Sequence, residues 1–468
     1  MKSERAIRAK EFMKTLLSYK SALAGLIIIF FMVGLSVYAI ATIPYPEAVR
    51  LWKLGEKSFI DNPRAAPPAW INFFLPKKLP ETIILDTRNG EAGASKAIVS
   101  NVFRIEFTFN YQYDDFPSEI NLFFFSSYNK SSPQITIYWQ KPNGEIIKLK
   151  ELTIKRGEDS YYISIDTALE DKLKKLISQK VGEPINYSIG PEVLLFAAED
   201  QSILSRETAH PLKGKYRMII EGTFYEEGFS IDAKLVVYGK VHGIAGTDYY
   251  RRDLSIALLW GAPIALSFGV VAAVSITCLQ MIIAAISAWY GGKVDSIIQR
   301  LTEFNMILPF LPILMMISAF YKISIWVLLV VVIALSILGY GTKTYRAMFL
   351  QIREFPYVEA AKTYGASNMR IILKYLVPKV LPTIIPSLVI SVADFVFLEA
   401  ALAILGLGDP NAPTWGKLIN DAYNAGALYL GYYHWVLEPA ALLVLTALGF
   451  ALLGFTLDKI FNPRLREM

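Results

Sequence analysis

The sequence predicts an α-helical polytopic membrane protein of six spans, carrying a large, mainly β, sandwich-like domain inserted after the first span and lying outside the cell. Three observations carry that expectation. Hydrophobic residues make up 54% of the 468 positions and mean hydropathy is +0.38, with the excess gathered in blocks of membrane-crossing length. Between the first two blocks, residues alternate between apolar and polar as they do in half-buried strands. The short connections between blocks are basic on one side and nearly uncharged on the other.

Residues 1–45 form the first region. Its N-terminal part is basic (Lys2, Arg5, Arg8, Lys10, Lys14, Lys20), and Ala22 to Ile43 then run without a charge. Ala39-Ile40-Ala41 resembles a signal-peptide cleavage site, but the run exceeds the ~7–15 residues of a signal core and meets the ~20 needed for a span. A retained first helix is the expectation.

Residues 46–240 change character, with Trp52 and Trp70 as candidate interface anchors. Phe103, Ile105, Phe107, Phe109, Tyr111 and Tyr113 alternate with polar residues, as expected of a strand with one buried face. Further strands are expected at Ile135–Trp139, Ile146–Ile154, Tyr161–Ile165, Val193–Ala197, Tyr216–Glu221 and Phe229–Tyr238, with hairpin turns at Asn143-Gly144 and Glu227-Gly228. One helix is expected with Leu169, Leu173, Leu176 and Ile177 along one face.

Residues 241–468 complete the chain, with spans expected at about 256–288, 304–321, 325–345, 382–406 and 437–457. Lys293, Arg300, Arg346, Arg353, Lys362, Arg370, Lys374, Lys379, Lys459, Arg464 and Arg466 collect on one side. Only Lys322 and Lys417 occupy the short loops of the other. The positive-inside rule puts both termini in the cytoplasm and residues 46–240 outside.

Composition also excludes chemistry. One cysteine, Cys278, forbids an intrachain disulfide and a Cys-based metal cluster, and the three His have no metal-site spacing. Gly339-Tyr340-Gly341-Thr342-Lys343-Thr344 has the composition of a phosphate-binding loop but the wrong spacing. No catalytic residue, cofactor, metal or ATP site is expected, so the chain is not expected to be an enzyme. The net charge of +6 is scattered, which argues against nucleic-acid binding.

One water-facing stretch stands out, residues 355–382. Tyr357, Ala360, Ala361 and Tyr364 repeat at helical spacing, and Met369, Ile372, Leu373 and Leu376 repeat it after Gly365. Two short amphipathic helices joined at a glycine elbow are expected, with Ser367 able to cap the second. Their apolar faces either pack on the chain's own spans or seat in a groove of a partner.

Glu359-Ala360-Ala361, Gly365 at the seventh position and Val377-Pro378 at the nineteenth and twentieth resemble the EAA loop of ABC-importer permeases. Residues 242–253, HGIAGTDYYRRD, look like the dipeptide/oligopeptide-type signature His-Pro-Leu-Gly-Thr-Asp-x-x-Gly-Arg-Asp. Thr247, Asp248, Arg252 and Asp253 keep their spacing, the Pro is missing, and Arg251 stands where that family has Gly. Residues 398–416 and the ending 452–464 resemble two further motifs of the same family.

That resemblance covers roughly 1–45 and 241–468 and implies an ABC type I importer permease fold. It implies a second homologous permease, two cytoplasmic ATP-binding subunits and an extracellular substrate-binding protein as partners. The cargo would be peptides or oligosaccharides, and the 355–382 loop would couple to the ATPases through Glu359, Ala360, Ala361, Gly365 and Pro378. Charged groups inside spans are costly and suggest function. Asp394 and Glu399 are therefore candidates to face the translocation path or pair with the second permease, or else to fix helix packing. The alternatives are a secondary transporter, which would need repeats or a broken-helix ion site, and a membrane-anchored receptor.

Overall fold

The computed structural model describes residues 2–99, 101–226, 228–321 and 324–462. Lys322, Arg464, Arg466 and the Pro463-Arg464 ending of the tail motif lie outside the described residues, as does Glu227. The chain divides into two compact units, Met1–Leu54 with Ser255–Met468, and Gly55–Leu254.

In the first unit, helix α1 (Lys2–Ser18) is followed by α2 (Lys20–Thr42) and α3 (Tyr45–Leu54). The 23 residues of α2 extend ~35 Å, enough for a hydrocarbon core of ~30 Å. Residues 45–54 group with the membrane helices, whereas the sequence boundary was expected at residue 45. The reason is amphipathic spacing: Ala48 and Trp52 fall at i and i+4 and are both buried. Trp52 is thus an interior residue rather than an interface anchor.

The second unit holds two antiparallel sheets. One has the order β1 (Ile83–Asp86), β9 (Ser230–Tyr238), β4 (Glu119–Ser127), β7 (Gly157–Tyr162). The other runs β2 (Ala94–Val99), β3 (Val102–Tyr111), β8 (Gly214–Thr223), β5 (Gln134–Gln140), β6 (Ile146–Thr153). Their inner faces share one core: Leu122, Phe124, Leu235 and Val237 from the first sheet meet Phe103, Phe107, Ile137, Trp139, Met218 and Ile220 from the second. This is sandwich packing. Asn143-Gly144 does turn β5 into β6, with Gly144 at φ 86°. Gly228 does not join a hairpin, because β8 and β9 lie in different sheets and the chain crosses the core between them.

Val193–Ala197, expected as a strand, is instead most of α5 (Pro191–Phe196). Proline at its first turn presets the helical φ there. The expected amphipathic helix is α4 (Thr167–Val181), which buries Leu169, Leu173 and Ile177. Asp166 caps it, accepting from the Leu169 amide at 3.1 Å; its second oxygen takes Lys150 Nζ at 2.6 Å and the Tyr161 hydroxyl at 2.8 Å.

Burial alone would push the Asp166 carboxyl up, but those three donors hold it below the ordinary carboxylate value. A depressed folded value means that its contribution is complete above pH ~4 and is lost as pH falls through the folded value. Asp166→Ala is expected to destabilise the sandwich by about 1–2 kcal/mol at neutral pH and to flatten its acid sensitivity. Urea unfolding of the solubilised chain at pH 7 and pH 3 checks both, and an unchanged pH dependence would refute this role.

Back in the first unit come α6 (Leu254–Tyr290), α7 (Gly292–Ile307), α8 (Phe310–Phe320), α9 (Ile325–Ser336), α10 (Tyr340–Arg353), α11 (Pro356–Thr363), α12 (Asn368–Ile404), α13 (Trp415–Asn424) and α14 (His434–Phe461). Helices α2, α6, α12 and α14 are long and apolar enough to cross a membrane. The expected third and fourth spans are each broken: α7 meets α8 at 72° and α9 meets α10 at 47°. Six spans result if each bent pair counts as one. The residues 242–253, expected to open this membrane region, group instead with the sandwich unit.

Candidate functional site

The 355–382 stretch begins with α11, whose first turn carries Pro356 and Glu359. It ends in a tight C-cap: Gly365 N–H donates to Lys362 O at 2.9 Å and Ala366 N–H to Ala361 O at 3.1 Å. These are the paired bonds of a Schellman turn, which requires a left-handed residue. Gly365 supplies it with φ 74°. The elbow expected at this glycine is therefore a hydrogen-bonded turn.

Beyond it the expectation of a second short helix fails. Ser367 occupies the N-cap position without a side-chain cap bond, and the helix it opens continues unbroken to Ile404. One π turn, Ile372–Leu376, interrupts its regularity. Pro378 follows directly; it has no N–H to donate, and its ring would crowd the carbonyl four residues back in a regular helix. The wider π turn sits where that conflict arises.

Of the two alternatives for the apolar faces, packing on the chain's own helices is seen. Val358, Ala361, Ile371, Ile372 and Leu376 pack with Ala284, Ala285 and Ala288 of α6 and Tyr345 and Phe349 of α10. Lys362 Nζ lies 4.7 Å from the Trp289 ring centroid, and Arg353 Nη1 donates to Ala288 O at 2.8 Å. Tyr357, Tyr364, Met369 and Leu373 stay exposed, as do Glu359, Ala360 and Pro378. The loop is thus pinned on one face and open on the other.

Four carbonyls where α9 breaks are claimed by side chains. Asn305 Nδ2 of α7 donates to Leu335 O at 2.9 Å and Leu338 O at 3.1 Å. Gln280 Nε2 of α6 donates to Ser336 O at 2.8 Å, and Thr342 Oγ1 to Ile337 O at 2.9 Å. A broken helix is tolerable at membrane depth only when freed backbone groups find partners. Around these groups lies a cavity of about 480 Å³, also lined by Thr277, Tyr345, Ser391 and Phe395. These residues are not singled out by sequence pattern; an isolated amide within an apolar run, as at Gln280, is the signal that points to them.

The two acids of α12 part company. Glu399 is 2% exposed and hydrogen-bonded to the Thr414 side chain, with Oε2 unpartnered. Asp394 lies on the exposed surface of α12. The run after Glu399 folds back: Trp415 is fully buried, with Nε1 donating to Leu258 O of α6 at 2.9 Å. Asn420 Nδ2 donates to Ile404 O, the last residue of α12, at 2.6 Å. Gly261 lies under the Trp415 indole, where a Cβ would come within 2.2 Å of the ring.

The four pre-span residues are brought together within the sandwich unit. Thr247 pairs with Asp253 as an isolated bridge, and its hydroxyl donates to Pro63 O at 2.8 Å. Asp248, fully buried, takes Arg252 N at 2.9 Å and Arg252 Nε at 2.5 Å. Arg251 has φ 64°, which accounts for glycine at this position of the resembled signature. Here the arginine side chain is put to use: it donates to Asn62 O at 2.6 Å, pairs with Glu119 at the start of β4 and lies over Tyr238 of β9.

Apolar helices of spanning length and two broken helix pairs define a polytopic membrane protein. Residues 280–467 match the binding-protein-dependent transport system inner membrane component family. The oligopeptide transport system permease protein OppC of Bacillus subtilis (strain 168) is 34% identical over 227 residues, covering 47% of this chain and 72% of that protein. The dipeptide transport system permease protein DppC of the same organism is 32% identical over 226 residues, covering 47% and 69%. The DppC of Lactococcus lactis subsp. cremoris (strain MG1363) is 30% identical over 226 residues, covering 48% and 64%. The chain belongs to this family of binding-protein-dependent transport system inner membrane components, the ABC-importer permeases. Most of the β sandwich unit, Gly55–Leu254, lies before the matched residues.

Proposed function

We propose that this chain is one permease subunit of an ATP-driven importer of di- or oligopeptides. The observation that carries the proposal is the 355–382 loop, with Glu359 and an apolar stripe exposed while its other face is locked onto α6 and α10. Such a surface suits docking of a separate subunit. It would pair with a second homologous permease, two cytoplasmic ATPases would dock on the loops, and an external binding protein would deliver the peptide. Both termini and the loop would be cytoplasmic and the sandwich extracellular.

In this scheme ATP-driven closure of the ATPases displaces α11 and the start of α12, and α12 carries the displacement into the membrane. Ala360, Ala361 and Pro378 shape the loop, and Glu359 makes its polar contact. Asp394, on the exposed side of α12, faces the path or the second permease, while Glu399 fixes the fold-back through Thr414. Peptide cargo is favoured over oligosaccharide by the similarity to OppC and DppC. Family membership also displaces the secondary-transporter and receptor alternatives, although two helix pairs are broken.

Mild solubilisation and affinity purification are expected to recover ATPase subunits in stoichiometric amounts. Their consistent absence would count decisively against the importer. With the complex reconstituted in vesicles, uptake of a labelled pentapeptide is expected and uptake of a labelled pentasaccharide is not; the reverse result would reassign the cargo.

A further inference from the structure

The sandwich unit carries an apolar prong that the importer scheme leaves unused. Residues Ala69–Phe73 form a 3₁₀ turn that presents Trp70, Phe73, Phe74 and Leu75 to solvent, and Ile244 is exposed beside it; Phe73 is 88% and Ile244 83% exposed. The two segments are stitched together. Ala69 N–H donates to Gly243 O and Trp70 Nε1 to Ile244 O, each at 2.9 Å. Adjoining large apolar side chains held open to water mark a surface that has an apolar partner.

Two features identify that partner. The first is chemistry: exposed Trp70, Phe73, Phe74 and Leu75 are followed, after Pro76, by exposed Lys77 and Lys78, the aromatic-plus-lysine composition of residues at a lipid headgroup boundary. The second is attachment. Gly246, two residues after Ile244, accepts from the N–H of Leu254 at 3.1 Å, and Leu254 is the first residue of the span-length helix α6. The prong is thus joined, within its own unit, to the residue at which the chain runs on into α6.

We infer that Trp70, Phe73, Phe74, Leu75 and Ile244 insert into the headgroup–acyl boundary of the leaflet next to the sandwich, with Lys77 and Lys78 on lipid phosphates. The prong is a membrane foot, which holds the sandwich at the lipid surface. This depends on α6 crossing the membrane and on neither cargo nor coupling, so it stands or falls apart from the importer scheme.

The test uses the full chain in phosphatidylglycerol nanodiscs. On a Cys278→Ser background, Phe74→Cys and, separately, Phe73→Cys carry an environment-sensitive NBD label; Ile165→Cys, exposed on the sandwich, carries the same label as control. At positions 73 and 74 the emission is expected to shift blue and to fall at least two-fold with lipids bearing a nitroxide near the headgroup, while position 165 is unaffected. Labels at 73 and 74 that are as wet and unquenched as at 165 would overturn the inference. Labels that are shielded yet unquenched by lipid nitroxide would also overturn it and assign the prong to a protein partner.

Discussion

Gly365→Pro is expected to abolish both transport and recovery of ATPase subunits with the chain, while the protein still accumulates in the membrane. Proline fixes φ near −65° and has no N–H. The native residue sits at φ 74° and its N–H closes one of the two bonds of the turn. Accommodating proline therefore means losing that turn, at about 3 kcal/mol or more. The damage falls on the orientation of α11 relative to α12, and hence on the joint surface made by Glu359, Tyr364 and Met369. The spans themselves do not depend on the turn. Gly365→Ala keeps the N–H and bears only the left-handed penalty of roughly 1–2 kcal/mol, so it is expected to retain partial activity. ATPase co-purification and uptake, measured against membrane abundance, separate the cases. Normal transport by Gly365→Pro would refute the coupling role of this loop.

Asp248→Ala is expected to give the largest loss of stability in the sandwich unit. Both Asp248 and Arg252 are buried, and breaking a buried pair by removing one partner costs about 3–5 kcal/mol. The loss spreads, since Ala65 N–H donates to Asp248 O at 2.9 Å and Thr247 N–H to Ala66 O at 2.8 Å. The strap formed by residues 62–70 should loosen with the turn. Limited proteolysis of the solubilised chain is expected to show new cleavage in 60–75 and 242–253. Asp248→Asn keeps an acceptor for the Arg252 amide and is expected to fall between. Protease resistance like the parent's in Asp248→Ala would show that the pair is dispensable.

How much of this was legible in the sequence varies from strand to strand for a physical reason. β3 was plain because one face is buried and the other is wet, so Phe103, Ile105, Phe107 and Phe109 alternate with polar residues. β4 was missed because it is a central strand covered on both sides: Phe124 enters the main core, while Phe123 packs with Val236 and Tyr238 on the opposite face. Alternation disappears under such double burial. Val193–Ala197 failed in the other direction, since a short apolar run looks the same in a strand and in a buried helix.

The 355–382 loop shows the same division. The Glu-Ala-Ala and glycine spacing located it, and Gly365 was correctly the elbow. Periodicity chose the stripe Tyr357, Ala360, Ala361 and Tyr364, of which Ala361 is buried; the other buried residue is Val358, off that stripe. A short helix apolar on two sides offers no single stripe to read. The helix break after Ser336 was illegible because tertiary partners, Asn305 and Gln280, satisfy the carbonyls it frees.

The unbroken course of Asn368–Ile404 also fixes a gear ratio. At ~1.5 Å per residue, ~45 Å of rod separate the exposed Met369 from the buried Glu399. With no linker to absorb motion, a tilt of about five degrees at one end becomes a sideways travel of ~4 Å at the other. The π turn at Ile372–Leu376 and the internal prolines Pro382 and Pro386 interrupt the regularity of that rod, the π turn near its Met369 end. Stiffness beyond those points, set by the packing of Val380 to Ala403, governs how much of a displacement at Met369 reaches Glu399.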